Sequence, residues 1–274
     1  MSDDLNKQTD GAKGKTGLPE WSTQAFRDFM DGQGRMMKVL QLSQHGIKTA
    51  TISPEVVGFL ARNKGNENDP TVIKEIERAK TTAEFAQREI DNDFPVLHSQ
   101  AVVSLWGSLE TLALTVVADW IVNRPEILHQ EPWRGLKVKV GEYEILDAEQ
   151  KASYLASSMD QLLSGPLRGG VTRLEALLET IGLKGGVSED VRRGMWELHQ
   201  IRNVLVHKRG KADRKFCEAC PWLGVTPVVE ISVSSQMYKN YFVTAHKYVV
   251  ELICRTGEFF GDTDIRSDAP ALYE

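Results

Sequence analysis

The chain has 274 residues, of which 41% are hydrophobic, and its formal net charge is -5 at pH 7. This length and apolar content suffice for one large or two modest folded domains, so we expect a globular chain rather than a disordered one. The acidic balance excludes a generally basic surface that binds nucleic acid by charge alone, so any such partner must meet a local basic patch.

The N-terminal part divides into a tail and a helical extension. Residues 1–19 lack apolar periodicity, and acidic residues stand where a signal peptide needs positive charge, so we expect a tail and a cytoplasmic location. Residues 20–92 are predicted to form helices, with a break at 31–34 and a long charged helix that starts after Asp69 at Pro70. Its apolar stripe is narrow, so this helix should lie on the outside of a bundle.

The most apolar segment runs from residue 94 to 125 and is long enough to cross a membrane. Glu110 lies near its centre, where a bilayer makes an acidic group costly. We therefore predict the central core helix of a domain over residues 93–260, with no membrane contact and with a tail over 261–274.

Two segments show the alternation typical of strands. Residues 133–147 alternate apolar and polar side chains around Gly141, and residues 225–242 include a similar stretch. Helical patterns separated by glycine-rich breaks occupy most of the chain between and after them. The predicted fold is thus an all-α helical bundle with an N-terminal helical extension and one or two small peripheral β-hairpins.

An arginine interrupts the apolar stripe of one of these helices. On a helix over residues 191–206, six apolar side chains span about 140° and Arg202 lies inside that arc; they are Val191, Met195, Leu198, Ile201, Leu205 and Val206. Buried arginines are rare unless paired, because desolvation of the guanidinium is costly. Glu110 is the only charged residue between Asp93 and Asp119, so we predict a bidentate pair between the two helices. The alternative is that this pair only sets the register of the helices.

His207 follows Arg202 by five residues, which on a regular helix means about 140° of rotation and roughly 7.5 Å along the axis. Both side chains can serve one site if Arg202 reaches round the helix, if the helix loosens towards Gly210, or if a second subunit supplies a copy. Taken alone, a histidine near a helix C-terminus is more typical of a dipole partner.

A basic run follows His207. It holds five lysines and arginines within eight positions of an otherwise acidic chain. One interpretation is a solvated cationic helix end, but beside a titratable histidine we favour a phosphate-binding patch. The five are Lys208, Arg209, Lys211, Arg214 and Lys215.

The segment RNVLVH resembles the motif of the HEPN superfamily (higher eukaryotes and prokaryotes nucleotide-binding), in which an arginine, a polar residue and a few mostly apolar residues precede a histidine. Arg202, Asn203 and His207 occupy those positions here. The continuation HKRGKADRKF is similar to the tail of one bacterial branch, and LWGSLETL, which contains Glu110, is similar to its core helix. The resemblance covers roughly residues 90–258.

The resemblance implies a helical bundle that forms a homodimer with a composite active site and cleaves RNA without a metal or cofactor. His207 would act as general acid or base, and Arg202 would neutralise charge on the phosphoryl oxygens. Asn203 would position His207 or the phosphate, and Glu110 would hold Arg202. The 2′-hydroxyl would attack the phosphate and leave a 2′,3′-cyclic phosphate. RNA would contact Lys208, Arg209, Lys211 and Arg214.

Members of this superfamily include toxins paired with antitoxins and effectors of phage defence, so an antitoxin or defence partner is one expected partner. Other members bind RNA or proteins without cleaving, and a catalytically silent module is therefore the alternative function. A third hypothesis is a metal or redox role for Cys217 and Cys220. Since no second cysteine or histidine pair lies nearby in sequence, we favour two ordinary thiols and predict no metal site.

Overall fold

The computed structural model describes residues 18–165, 169–262 and 264–268, and the regular structure within these ranges is entirely helical. The predicted all-α class is confirmed. The eleven α-helices of these ranges are α1 (Trp21–Ala50), α2 (Ser53–Lys64), α3 (Pro70–Asp91), α4 (Pro95–Asn123), α5 (Val140–Tyr143), α6 (Ala148–Leu163), α7 (Val171–Glu179), α8 (Glu189–His207), α9 (Arg214–Ala219), α10 (Ser235–Phe259) and α11 (Ile265–Asp268). Short 3-10 helices span Pro125–His129, Trp133–Gly135 and Pro221–Leu223.

Helix α4 is the centre of the bundle. Helices α1, α6, α7, α8 and α10 all pack against it, as expected for a helix that is apolar on most of its surface. Trp106 and Trp120 are among its fully buried side chains. Of the helices in the described ranges, only α4 is long and apolar enough to cross a membrane by length and composition, a test that buried core helices also pass.

Helix α1 runs without interruption through residues 31–34, so the predicted break there is wrong. Each glycine in this stretch costs a helix about 1 kcal/mol relative to alanine. The cost is offset because α1 packs along α4, where it buries Phe26, Phe29 and Leu40 in the common core. Tertiary burial therefore outweighs the local breaker signal.

Helix α3 begins as predicted, with the Asp69 side chain accepting a hydrogen bond from the backbone N–H of Thr71 at 2.7 Å. Only Ala86 and Glu89 of this helix are buried, and it packs on α1 and α2. This agrees with a position on the outside of the bundle.

Both predicted β-hairpins are wrong. Residues 133–147 form a 3-10 turn, an extended segment and the short helix α5. Their alternation arises because Leu136 and Val138 rest on the helical core while Lys137 and Lys139 face solvent. An extended segment that lies on a helical surface can thus show alternating apolar and polar residues without pairing with another strand.

In the second segment Ile231 and Val233 are buried, and α10 starts soon afterwards at Ser235. Among the described residues its β-type pairing is one isolated antiparallel bridge, between Lys211 and Glu230 of the same chain. Here too the alternation reflects an extended chain on a helical core. The tail predicted over residues 1–19 falls almost wholly outside the described residues, and of the tail over 261–274 the structure describes 261, 262 and 264–268.

Candidate active site

The C-terminal end of α8 carries the candidate site. Ser188 occupies the N-cap position, and the helix ends at His207. Arg209 and Gly210 then take positive φ angles of 54° and 75°, which turn the chain sharply away from the helix axis. The Gly210 carbonyl accepts a hydrogen bond from the N–H of Ile231 at 2.7 Å, so the residues after the site are anchored to the 228–231 segment.

Arg202 lies at the edge of the buried face of α8. The side chain is 24% exposed, and Val206, which the sequence assigned to the apolar stripe, is 46% exposed. The buried face keeps the predicted Ile201 and adds Val204, which the predicted stripe left out. It is therefore shifted away from Val206, and part of the Arg202 guanidinium is accessible.

The predicted bidentate pair between Arg202 and Glu110 is wrong. Arg202 Nη2 lies 3.7 Å from Glu110 Oε2, a loose single contact. Glu110 has a closer partner in Arg173 of α7, whose Nη1 donates to Oε1 at 3.0 Å. Arg173 also forms a bidentate pair with Asp160 of α6, at 3.2 and 2.6 Å. Two acids and two arginines therefore share one network between four helices.

The sequence did not single out Arg173 or Asp160. Each is a charge placed among the apolar residues of an amphipathic helix, as Arg202 is, and that is the signal by which they could have been found. Which acid pairs with which arginine depends on the helix packing and is absent from the sequence.

Arg202 and His207 meet within one chain. Arg202 Nη1 lies 3.4 Å from His207 Nε2, so the first of the three routes considered, an arginine that reaches round the helix, is the one found. Arginine can only donate, so Nε2 is the acceptor in this contact. His207 is exposed, and the pair therefore lies at the protein surface.

Asn203 positions Arg202 rather than His207. Its Oδ1 accepts a hydrogen bond from Arg202 Nη1 at 3.2 Å, and its Nδ2 lies 3.2 Å from Nε2 of His199. The amide therefore bridges an imidazole inside the protein and the guanidinium at its surface. This second histidine was not predicted as part of the site.

His199 packs against Trp106 of α4, with ring centroids 4.8 Å apart. Burial, together with the nearby charges of Arg202 and Arg173, lowers its pKa from 6.5 to about 4. The ring is therefore neutral at pH 7, with Nε2 free to accept from Asn203. A histidine one turn before Asn203 on the same helix face was the available sequence signal.

The basic run is exposed, but part of its charge is already paired. Lys208 lies 3.3 Å from Asp213, and Arg214 donates to Glu218 at 2.8 Å. Within the described ranges Arg209 and Lys211 form no ion pair. Asp213 also caps α9 and Phe216 is buried, so these two members of the motif tail have structural roles.

Cys217 and Cys220 are both free thiols. Cys220 is buried, and desolvation reinforced by Glu197 raises the pKa of its thiol to about 12. A thiol that resists ionisation is a poor metal ligand and a poor nucleophile. No group of three or more His, Cys, Asp or Glu side chains within the described ranges is arranged to hold a metal ion.

Comparisons of the chain with protein-family models, with curated proteins and with solved structures found no match.

Proposed function

We propose that the protein is a metal-independent endoribonuclease of the HEPN type. The observation that carries the proposal is the 3.4 Å contact between Arg202 Nη1 and His207 Nε2 at the exposed end of α8. This contact joins a fixed positive charge and a titratable imidazole, the two groups needed to cleave RNA through its 2′-hydroxyl. The resemblance of RNVLVH to the HEPN motif names the same two residues.

In the proposed reaction a phosphate of the RNA displaces His207 from Arg202 and lies between the two side chains. His207 takes the proton of the 2′-hydroxyl or delivers one to the leaving 5′-oxygen, and water or the imidazole of the second copy performs the other proton transfer. The 2′-oxygen forms a bond to phosphorus as the bond to the 5′-oxygen breaks, which yields a 2′,3′-cyclic phosphate and a 5′-hydroxyl. Arg202 neutralises the charge on the non-bridging oxygens. DNA lacks the 2′-hydroxyl and is not a substrate.

The surroundings support this division of roles. Asn203, held by His199, accepts from Arg202 on one side, and Glu110 lies on the other. Arg209 and Lys211 are exposed beside the site and unpaired among the described residues, so they can contact neighbouring phosphates. The proposed partners are RNA and a second copy of the chain, and an antitoxin or defence protein would control the activity.

The test uses purified wild-type protein and a His207→Ala variant, incubated with total RNA in excess EDTA. Wild type is expected to cleave and to leave cyclic phosphate ends, whereas the variant should cleave at least about 100-fold more slowly. His45, an exposed histidine on α1, supplies the control variant His45→Ala, which should cleave like wild type. Equal cleavage by wild type and His207→Ala would overturn the proposal.

The composite site can be tested by mixing two inactive copies. A heterodimer of Arg202→Ala and His207→Ala chains keeps one arginine and one histidine on different subunits. If the cleft is shared, the mixture regains part of the activity. If each chain acts through its own pair, as the contact within one chain permits, the mixture stays inactive and only the composite site is overturned.

A catalytically silent RNA-binding module is the second candidate. The observation in its favour is the network of Arg202, Glu110, Arg173 and Asp160, which ties α8 to α4, α7 and α6 in the manner of a structural ion cluster. That function predicts RNA binding by wild type without cleavage.

A further inference from the structure

A groove beside the N-terminal half of α8, away from the candidate site at its C-terminal end, has no role in the proposed reaction. It has a volume of about 540 Å³, and its walls include Trp196 and Arg193 of α8 and Trp222 of the turn that follows α9. Trp222 is 41% exposed, which is a high value for so large an apolar side chain. We propose that this groove binds an unpaired base of the RNA substrate, an inference that takes its ligand from the proposed function.

The two indoles are held rigidly. Trp222 Nε1 donates to Glu197 at 2.6 Å, and Trp196 Nε1 donates to the Ala219 carbonyl at 3.0 Å. Both polar ring edges therefore already have partners inside the protein, and the rings present aromatic surface to a ligand, with Arg193 over one face of Trp222. A rigid aromatic surface favours a flat ligand that stacks, and every nucleobase offers such a face.

Positive charge borders these rings. The Arg193 guanidinium lies 4.5 Å from the Trp222 ring centroid, and Arg192 also lines the groove. Both arginines are exposed. Glu189, which lies 3.6 Å from Arg192, is the acid at the groove, and its side chain is 85% exposed and free to move away. Stacking surfaces beside arginines match a single strand, whose bases stack while its phosphates meet the cations.

The groove and the candidate site lie on one helix, α8, and helix periodicity relates them. On a regular helix Asn203 and His207 each lie within about 20° of Trp196, at roughly 10 and 16 Å along the axis. One face of α8 thus leads from the tryptophans to the Arg202–His207 pair. A strand of a few nucleotides can place one base in the groove and a phosphate at the pair.

The binding test uses the His207→Ala protein, so that RNA is held but not cut, and a fluorescent single-stranded RNA of about eight nucleotides. Trp222→Ala in this background is expected to weaken binding about tenfold, as is usual for loss of one stacking side chain. Trp222→Phe, which keeps an aromatic face, should recover most of the affinity. Phe59→Ala removes an aromatic residue on α2 that is more exposed than Trp222, 56% against 41%, and should have no effect.

Arg193→Ala is a second variant that leaves the core untouched. It should weaken binding and reduce the dependence of affinity on salt, because one phosphate contact is lost. An RNA with abasic sites lacks the base that would stack on Trp222. It should therefore bind equally well to the His207→Ala protein and to the same protein carrying Trp222→Ala. Unchanged affinity in Trp222→Ala and Arg193→Ala, or an equal loss in Phe59→Ala, overturns the inference.

Cleavage assays separate this inference from the proposed function. If wild type cleaves RNA and Trp222→Ala has unchanged kcat and KM, the groove is not a base site but the nuclease stands. If Trp222 contributes to RNA binding while wild type does not cleave, the base-binding inference is supported and the proposed nuclease function is overturned. Absence of both binding and cleavage overturns both.

Discussion

At the residue scale, His199 shows how burial changes what a side chain can do. Its neutral ring accepts from Asn203, and the same burial that keeps it neutral makes protonation costly for the folded state. The folded pKa of about 4 lies below the ordinary value of 6.5. Between these two values an unfolded chain binds a proton at this residue and the folded chain does not.

We therefore expect His199 to cost stability as the pH falls from 6.5 to about 4, with no further change outside that window. The loss should reach at most about 3 kcal/mol. His199→Gln cannot protonate and should flatten the pH dependence of the free energy of unfolding, measured in urea. An unchanged pH dependence in this variant would contradict the prediction.

Asp119 supplies a control of opposite sign. Desolvation and the nearby carboxylates of Asp28 and Glu149 raise its pKa from 3.8 to about 6. The folded protein therefore takes up this proton first, so Asp119 adds stability as the pH falls from about 6 to 3.8. Asp119→Asn should make the acid loss of stability steeper, whereas His199→Gln should make it shallower.

The acid and arginine network gives a second prediction at this scale. Asp160 and Glu110 are only 15% and 22% exposed, and Arg173 contacts both. Arg173→Met leaves two neighbouring acids short of a cation, and we expect a loss of about 1–3 kcal/mol in the free energy of unfolding. Lys80→Ala removes the ion pair between Lys80 and Glu77, whose side chains are 54% and 65% exposed. This change should lower the free energy of unfolding by less than about 0.5 kcal/mol. Equal losses in the two variants would show that burial does not strengthen the Arg173 network.

At the scale of elements, α8 and α10 approach closely because Gly194 has no side chain. A Cβ at that position would lie 2.8 Å from Cγ2 and Oγ1 of Thr244. Gly194→Ala is therefore expected to destabilise the protein by about 1–3 kcal/mol, although alanine is the better helix former. Chemical denaturation measures the change, and Thr244→Ala combined with it should recover part of the loss.

Gly46 of α1 is the matched control, because a Cβ there meets nothing within 4 Å. Gly46→Ala should stabilise the protein by about 0.5–1 kcal/mol through helix propensity alone. If both alanines stabilise the protein, the α8–α10 contact is looser than the structure shows.

At the scale of the whole molecule, α1 and α4 share one core. Phe26, Phe29 and Leu40 of α1 are buried in it, and Trp21 packs edge-on against Trp120 of α4 with ring centroids 4.9 Å apart. Each such side chain contributes about 1.5–3 kcal/mol, so their sum is comparable to the 5–15 kcal/mol that stabilises a typical domain.

A chain that starts at residue 93 is therefore expected to aggregate or to unfold without cooperativity, even though the candidate site lies entirely after that residue. Circular dichroism and urea unfolding of the truncated protein measure this. Removal of residues 2–17, whose sequence lacks apolar periodicity, is the control and is expected to leave the unfolding transition unchanged. Cooperative unfolding of the shorter chain would show that residues 20–92 are a separable extension.

The sequence by itself determined the helical class, the central helix around Glu110, the start of α3 at Pro70, and the position of Arg202 beside the buried face of α8. These follow from local periodicity and from the cost of burying charge, which any single segment reveals. The sequence predicted strands at 133–147 and 225–242, which the structure does not contain. Alternation of apolar and polar residues shows that one side of a segment is buried, but not whether a sheet or a group of helices buries that side.

Only the tertiary structure decided which charges meet. The preference of Glu110 for Arg173, the bridge from His199 through Asn203 to Arg202, and the direct approach of Arg202 to His207 all depend on helix packing and side-chain rotamers. Partners distant in sequence are brought together by the packing of whole helices against a common core, and that arrangement is a property of the complete chain rather than of any segment.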